Sequence, residues 1–249
     1  QCDRVDVDAI HRARTFVKAG LAQQLEKAFA GRYQALGSDQ AYDNTPASMA
    51  RRNLRNTCLS YLVECEQGET LAMQQLAASD NMSDTLAALQ SLAWSGADSA
   101  VVALKDFESN WAGDALVMDK WFSIQATIPG KQTVARVREL LQHSEFSIRN
   151  PNKVRSLLGA FSMMNPTGFH AADGSGYQLH ADQVIALDAL NPQMAARMAS
   201  AFNSWRRYDD ARQLQIQQQL NRIMARDKLS PDLAEIVGNA LAMNGDSIA

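Results

Sequence analysis

The sequence predicts an all-α fold, and three observations support that prediction. Apolar residues recur at i, i+3, i+4 and i+7 along most of the chain, which is the spacing of one face of an α-helix. No stretch shows the sustained alternation of apolar and polar residues that is typical of strands. Only 13 Gly and 6 Pro interrupt the 249 residues. We therefore expect about a dozen helices, joined by short links.

Five stretches carry the clearest helical stripes of apolar residues. In chain order they are Leu54, Cys58, Tyr61, Leu62 and Cys65; Val154, Leu157, Leu158 and Phe161; Met194, Met198, Ala201, Phe202 and Trp205; Ile216, Leu220, Ile223 and Met224; and Leu233, Ile236, Val237, Ala240 and Leu241. Each stripe predicts a helix with one buried face. Leu158 lies in the middle of its stripe, so we expect its side chain to be buried.

The prolines predict where helices begin. Five of them follow a residue whose side chain can cap a helix, and a proline ring fits the first helical position. These pairs are Thr45-Pro46, Asn150-Pro151, Asn165-Pro166, Asn191-Pro192 and Ser230-Pro231, of which Asn165-Pro166 is expected to begin either a helix or only a turn. The sixth, in Pro129-Gly130, is expected to separate two helices. The Gly174-Ser175-Gly176 loop is predicted to form a tight turn with positive φ before the next helix.

Short amphipathic helices in series stack as antiparallel pairs into a superhelical array of the ARM or HEAT type, or pack as an ordinary globular bundle. No shift in composition marks a domain boundary. Residues 1–249 are therefore predicted to form a single helical domain. Because the sequence opens directly on a helical pattern, we expect it to be a fragment of a longer chain.

Composition excludes several classes of function. The net charge of −3 argues against a nucleic-acid partner. No apolar run reaches the roughly 20 residues that a membrane span needs, so no membrane role is expected. Cys58 and Cys65 are seven residues apart on one predicted helix, too far for a disulfide. Three cysteines without a disulfide framework fit a reducing compartment, and we predict a cytoplasmic protein.

No catalytic motif is visible. The four histidines are His11, His143, His170 and His180, and none forms the His-Glu-x-x-His pattern of a zinc peptidase. A metal shared by His170 and His180 has weak support. We expect instead that His170 makes a local hydrogen bond near Asp173 and that His180 lies on a partly buried helix. The Gly-Ser-Gly turn is too short for a phosphate loop. Neither a catalytic residue nor a metal or cofactor site is therefore predicted within this chain.

Five segments together resemble the C-terminal helical domain of the bacterial aminopeptidase N family. They are NLRNTCLSYL from residue 53, NMSDTLAAL from residue 81, LVMDKWFSIQA from residue 116, the stretch FSIRNPNKVRSLLGAFSMMNPTGFHAADGSGY from residue 146, and RRYDDARQ from residue 206. They occur in the family's order, and the resemblance extends from about Asp6 to Ala242. Residues 31–45 match least well.

The resemblance implies a fold, a function and a site. It favours the stacked helix pairs over the globular bundle. It implies a non-catalytic domain of a zinc aminopeptidase, which removes N-terminal residues from peptides. The zinc would belong to an upstream catalytic domain of the same chain. The present domain would cover that active site and limit the access of substrates to it. The upstream domain and a peptide substrate are thus the implied partners.

Three residues are the predicted substrate-binding site, namely Arg155, Arg197 and Gln193. In the resembled family, arginines at the places of Arg155 and Arg197 face a closed substrate cavity, and Gln193 lies one turn before Arg197. The residues alone leave another interpretation open, because an arginine beside an apolar stripe often extends to solvent or pairs with a carboxylate. A free-standing helical scaffold that binds a protein partner is the alternative function.

Overall fold

The structure is a computed structural model that describes residues 4–37 and 42–242, and its secondary structure there is helical. The single exception among these residues is an isolated parallel bridge between Val5 and Tyr208. This confirms the all-α prediction. Part of the poorly matching segment 31–45, namely residues 38–41, lies outside the described residues, as does Cys2.

The residue contacts divide the chain into two compact units. One unit runs from Arg12 to Asp114, and the other combines the segment up to His11 with the residues from Ala115 onward. Helix α1 (Val7–Gln24) contributes to both. The single domain predicted from the sequence stays a prediction.

The Arg12–Asp114 unit contains five further helices. They are α2 (Glu26–Ala35), α3 (Pro46–Leu62), α4 (Gly68–Ala78), α5 (Met82–Ser95) and α6 (Ala100–Trp111). Helices α2 and α3, α4 and α5, and α3 and α5 pack against each other. Leu59, Leu89 and Leu92 are fully buried between them. In the apolar stripe predicted from Leu54 to Cys65, Cys58 and Leu62 are buried. Leu54, at the start of the stripe, is 42% exposed.

A buried polar network also joins the helices of this unit. Gln75 of α4 accepts a hydrogen bond from the Tyr33 hydroxyl of α2 at 2.9 Å and donates one to Asn56 of α3 at 2.8 Å. Asn56 in turn donates to the Asp84 carboxylate of α5 at 2.8 Å. Arg55 lies over the Tyr33 ring at 4.4 Å. Because buried polar groups are costly without partners, this network fixes how the four helices pack.

The second unit contains the helices from α7 onward. They are α7 (Ala115–Ala126), α8 (Gln132–Leu140), α9 (Pro151–Val154), α10 (Ala160–Met164), α11 (Pro166–Phe169), α12 (Ser175–Asp188), α13 (Pro192–Ala199), α14 (Asp210–Met224) and α15 (Pro231–Ala242). A π-helical turn, Arg155–Gly159, joins α9 to α10. Two 3₁₀ turns, Ser200–Phe202 and Trp205–Arg207, follow α13.

All five capped prolines begin helices, as the sequence predicts. The side chains of Thr45, Asn150, Asn165 and Asn191 accept hydrogen bonds from backbone N–H groups in the first turn. The Ser230 hydroxyl accepts one from the Leu233 N–H at 3.3 Å. Pro129-Gly130 separates α7 from α8. Gly174 has a φ of 74° immediately before α12, which confirms the predicted turn.

Aromatic rings fill the core of the second unit around Phe169. This ring packs edge-on against Phe161, Tyr177 and His180, with centroids 5.3–6.0 Å away. Leu158 is fully buried, as predicted. Trp121 and Trp205 are buried, whereas Trp94 and Trp111 are 39% and 38% exposed.

Arg212 ties the N-terminal segment into this unit. Its side chain is buried and donates to the carboxylates of Asp8 at 2.6 Å and Asp209 at 2.7 Å, and to the His170 carbonyl at 2.9 Å. Burial alone would raise the pKa of Asp209, but the hydrogen bonds from Arg212 outweigh it and the pKa is lowered. Asp209 caps the helix Asp210–Met224, and Asp210 is its first residue. No local sequence pattern indicates that Arg212 is buried.

Candidate functional site

Arg155 is the one exposed side chain in a helical stretch that is otherwise buried. Every other residue from Lys153 to Ser162 is buried. The Asn150 cap and Pro151 begin the helix, and Arg155 starts its π turn. The guanidinium donates a hydrogen bond to the side chain of Asn152, one turn earlier. No ion pair holds it among the described residues, so its charge faces solvent with one neutral partner.

The π turn is a feature that helical periodicity did not predict. Such turns hold one extra residue, are rare, and occur often at functional sites. Here the turn contains Arg155 and Gly159. A methyl group placed at Gly159 would lie 3.9 Å from both Arg155 Cβ and Met198 Cε. The Met198 side chain of α13 therefore reaches this helix at Gly159, one turn after Arg155.

Helix α13 presents Gln193 and Arg197 in the same way. Beyond Pro192, they are its exposed residues, while Met194, Ala195, Ala196, Met198 and Ala199 are all buried. The two lie four residues apart, hence on one face of the helix. Within the described part of the chain, the Arg197 guanidinium has no hydrogen-bond or ion-pair partner. Of the two alternatives to a substrate role, an ion pair is not seen for Arg197, whereas its exposure also fits an arginine that extends to solvent.

Lys153, two residues before Arg155, is buried rather than solvated. Lysine side chains are usually solvated, but this one is only 4% exposed. Its Nζ lies 3.1 Å from the Asp119 carboxylate, donates to the Ala115 carbonyl at 3.1 Å and sits over the Phe122 ring at 5.3 Å. These contacts fasten the start of α9 to α7.

Arg206 is also engaged with protein atoms. Its guanidinium donates to the Ala240 and Leu241 carbonyls at 2.7 and 2.8 Å, where α15 ends, and stacks on the Trp205 ring at 4.2 Å. A cation at a helix C-terminus satisfies carbonyls that lack intrahelical partners. The positive charges of this region are thus of two kinds: Lys153 and Arg206 hold helices together, while Arg155 and Arg197 face outward.

The buried histidines His170 and His180 both pack against Phe169 and have different hydrogen-bond partners. His170 Nδ1 lies 2.8 Å from the Tyr177 hydroxyl, a local partner, although not Asp173, whose carboxylate accepts from Ser175. Burial lowers the pKa of His170 to about 4, and the Arg212 charge adds to that effect. His180 is fully buried rather than partly buried, and its Nε2 lies 2.9 Å from the Met198 carbonyl.

The described residues do not fit a metal ion. Residues 4–37 and 42–242 contain no group of three or more His, Cys, Asp or Glu side chains arranged to hold one. His170 and His180 have the separate partners named above. Nor does any helix of this part of the chain combine the length and apolar character that crossing a membrane requires.

A protein-family model matches residues 1–242 and is described as "Domain of unknown function (DUF3458_C) ARM repeats". The chain belongs to this ARM-repeat family. Membership confirms the predicted ARM-like class of helical repeat, and with it the choice of stacked helix pairs over an ordinary bundle.

Relatives of this DUF3458_C chain are named aminopeptidases. It is 38% identical to "Aminopeptidase N" of Haemophilus influenzae over 95% of its own length and 27% of that protein's. It is 36% identical to "Aminopeptidase N" of Escherichia coli over 96% of its length and 28% of that protein's. The resemblance to the C-terminal domain of aminopeptidase N is thereby confirmed. The chain spans less than a third of the relatives that it matches.

A solved structure matches the fold of the DUF3458_C chain closely. It is described as the crystal structure of Legionella pneumophila aminopeptidase A in complex with aspartic acid. The TM-score is 0.88 at 31% sequence identity, over 97% of this chain and 29% of that one.

Proposed function

We propose that this chain is the non-catalytic C-terminal domain of a zinc aminopeptidase that removes N-terminal residues from peptides. It covers the active site, limits access to short or unfolded peptides, and places Arg155, Arg197 and Gln193 toward the substrate. The relatives' names support the peptidase, and the chain's share of their length supports a part of a larger enzyme. The partners of this domain would be the catalytic domain upstream in the same chain and the peptide substrate.

The exposure pattern of two neighbouring helices carries the proposal. The 153–162 stretch leaves Arg155 exposed and buries the rest, and α13 leaves Pro192, Gln193 and Arg197 exposed. Arg155 Cβ and Met198, the neighbour of Arg197, both contact the space at Gly159. An ordinary surface helix exposes a broad polar face. Here the exposed positions are few, and their side chains are able to bind a carboxylate or carbonyl.

The three residues would act by binding and orientation. A guanidinium stays charged at any physiological pH and presents a planar fork of donors that suits a peptide carbonyl or C-terminal carboxylate. When the cover closes over the substrate, water is partly excluded and each charge acts more strongly than on an open surface. The Gln193 amide would add one donor and one acceptor for the peptide main chain.

Zinc in such an enzyme would be held outside this chain, since the described residues do not fit a metal. Bound there, it would supply Lewis-acid activation of the peptide carbonyl and of water. The residues proposed above would then affect substrate binding more than the chemical step. We also propose that the enzyme works in the cytoplasm, in keeping with the free Cys58 and Cys65 thiols.

The test uses the full-length enzyme with Arg197→Ala and Arg155→Ala. We expect KM for a tetrapeptide to rise roughly tenfold or more, because a hydrogen bond to a charged group contributes roughly 1.5–3 kcal/mol. The value of kcat should change little, since the chemistry lies elsewhere. A single-residue chromogenic substrate, too short to reach these residues, should be much less affected.

Arg226→Ala is the matched control, because Arg226 is another exposed arginine of the same unit. It should leave the kinetics of both substrates unchanged. Unaltered tetrapeptide kinetics in both arginine variants would refute the proposed role of these residues. Purified full-length protein without peptidase activity would favour the helical scaffold instead.

A further inference from the structure

His180 of α12 is a fully buried polar residue whose role packing alone does not explain. Its Nε2 donates a hydrogen bond to the Met198 carbonyl of α13, at 2.9 Å. Its Nδ1 is also buried and has no partner among the described residues. A buried polar atom without a partner costs folding free energy, and an apolar side chain of similar size would avoid that cost. What the imidazole contributes beyond packing is therefore the directional bond to α13.

Two neighbouring rings hold the direction of this His180–Met198 bond. Phe169 and Phe202 both pack edge-on against the imidazole, with ring centroids 5.4 and 5.5 Å away. A ring enclosed in this way does not turn without displacing its close-packed neighbours. Nε2 thus points at the last turn of α13 in a fixed direction.

Helix α13 needs such a bond because its buried face does not specify a single orientation. That face consists of Met194, Ala195, Ala196, Met198 and Ala199. Alanine offers only a methyl group to interlock with a neighbour, and methionine is unbranched and adapts to gaps of different shape. Packing of this face therefore resists small rotations of the helix only weakly.

Polar side chains hold α13 at both ends. In its first turn, the Asn191 side chain accepts a hydrogen bond from the Met194 N–H at 3.0 Å. In its last turn, the bond from His180 reaches the Met198 carbonyl, directly after Arg197. Because successive residues of an α-helix are roughly 100° apart, the rotation of α13 determines where the Arg197 side chain points.

Met198 also connects α13 to the helix that carries Arg155. A methyl group placed at Gly159 would lie 3.9 Å from Met198 Cε. Gly159 is the last residue of the π turn that Arg155 begins. Fixing the backbone of Met198 therefore also fixes the side chain that packs beside this turn.

We propose that His180 is a positioning residue, which fixes the rotation of α13 through Met198 and so directs Arg197 toward the peptide substrate. This inference rests on the function proposed above for Arg197. His180 is fully buried, so it acts by orientation and not by touching the substrate. Its hydrogen bond is then required for peptide binding and not for the chemical step.

The experiment compares His180→Leu with His180→Gln in the full-length enzyme. Leucine has no donor, whereas the glutamine amide extends about as far as Nε2 and donates to the Met198 carbonyl in its place. We expect KM for a tetrapeptide to rise roughly threefold to tenfold in the leucine variant, since one hydrogen bond is lost. The value of kcat and the kinetics of a single-residue substrate should change little. The glutamine variant should behave like wild type.

Two further variants separate positioning from general damage to the core. Tyr177→Phe removes the hydroxyl beside His170 Nδ1 but keeps a ring against Phe169, so it alters the same core and leaves the His180–Met198 bond intact. It should leave KM unchanged. The double variant His180→Leu with Arg197→Ala should have the KM of Arg197→Ala alone, because the effect of His180 passes through Arg197.

Amide hydrogen exchange tests the His180–Met198 bond without any substrate. Exchange in the last turn of α13 should become roughly threefold faster or more in His180→Leu, and stay as in wild type in His180→Gln. Unchanged exchange in the leucine variant would overturn the proposal, whatever the kinetics. Additive effects in the double variant, or a rise in KM that glutamine does not reverse, would overturn it as well.

The outcome is separable from that of the proposed function. A rise in KM for Arg197→Ala with none for His180→Leu would refute this inference alone. Unchanged kinetics in Arg197→Ala, with faster exchange in His180→Leu, would refute the function proposed for Arg197 while supporting the role of His180 in fixing α13.

Discussion

His180 Nε2 donates a hydrogen bond to the Met198 carbonyl, 2.9 Å away, and thereby joins α12 to α13 next to Arg197. A carbonyl only accepts, so Nε2 carries the proton and Nδ1 does not. Nδ1 is buried without a partner. Protonating it would place a charge in the core with nothing to accept the new hydrogen bond. Burial accordingly lowers the pKa of His180 to about 4, although the bond to Met198 acts in the opposite direction.

Stability should fall with acid more steeply in wild type than in His180→Gln. The unfolded histidine has a pKa near 6.5 and takes up a proton that the folded one refuses, so the free energy of unfolding falls as pH drops from about 6.5 toward 4. At pH 4, His180 is expected to lower the free energy of unfolding by roughly 3 kcal/mol relative to its value at pH 7. Urea denaturation at pH 7 and pH 4 measures it. Parallel pH profiles of the two proteins would contradict the assignment.

Asp119→Ala should destabilise the protein by roughly 3–5 kcal/mol, because it leaves the Lys153 charge buried without its partner. The combined change Asp119→Leu with Lys153→Met removes both charges and should cost much less. Lys120→Met, next to Asp119 but exposed, serves as the control. Chemical denaturation gives all three values. If the double variant is as unstable as Asp119→Ala, the unpaired charge of Lys153 is not the cause of the lost stability.

Leu158→Ala should lower the free energy of unfolding by roughly 2–5 kcal/mol, through lost burial and a remaining cavity. Met163→Ala, in the same helix but 58% exposed, should change it by less than about 1 kcal/mol. Equal denaturation midpoints for the two variants would mean that Leu158 is not in the core.

Arg212→Lys should cost roughly 2 kcal/mol even though charge is conserved. A lysine ammonium cannot reach Asp8, Asp209 and the His170 carbonyl together, because it lacks the planar fork of a guanidinium. Thermal denaturation measures the loss, with the exposed Arg226→Lys as reference. If the two substitutions shift the melting temperature equally, Arg212 does not anchor the N-terminal segment.

Chelation should leave this chain folded. Far-UV circular dichroism and the melting temperature should be the same before and after treatment with EDTA, since no described cluster of side chains holds a metal. The full-length enzyme should lose activity under the same treatment while this domain keeps its helical content. Loss of helical signal in the isolated chain would reveal a metal-dependent fold.

The sequence predicted helix positions well because their signals are local. Thr45, Asn150 and Asn191 cap helices through bonds to residues two or three positions away, and a following proline makes the pattern readable. Leu158 was predictable from spacing alone. The exposed arginines were selected by resemblance, and neither their spacing nor their charge distinguishes them from Arg226.

Other features depend on long-range partners that the sequence does not reveal. Lys153 looks like a surface residue until Asp119, 34 positions earlier, lies beside it. Large aromatic residues are mostly buried, but Trp94, near the end of α5, is 39% exposed because no other helix covers it fully. The partner of His180 is a backbone carbonyl, which no side-chain motif predicts.

The π turn at Arg155–Gly159 makes helix length a constraint in its own right. The turn absorbs one extra residue, so the helical segments before and after it keep their faces. Deleting Val154, which lies in the ordinary α-helix just before the turn, would rotate Lys153 by roughly 100° relative to the following segment and turn it away from Asp119. The phase of this helix, and not only its composition, thus determines which side chain it presents. A single-codon deletion would disturb it more than many substitutions.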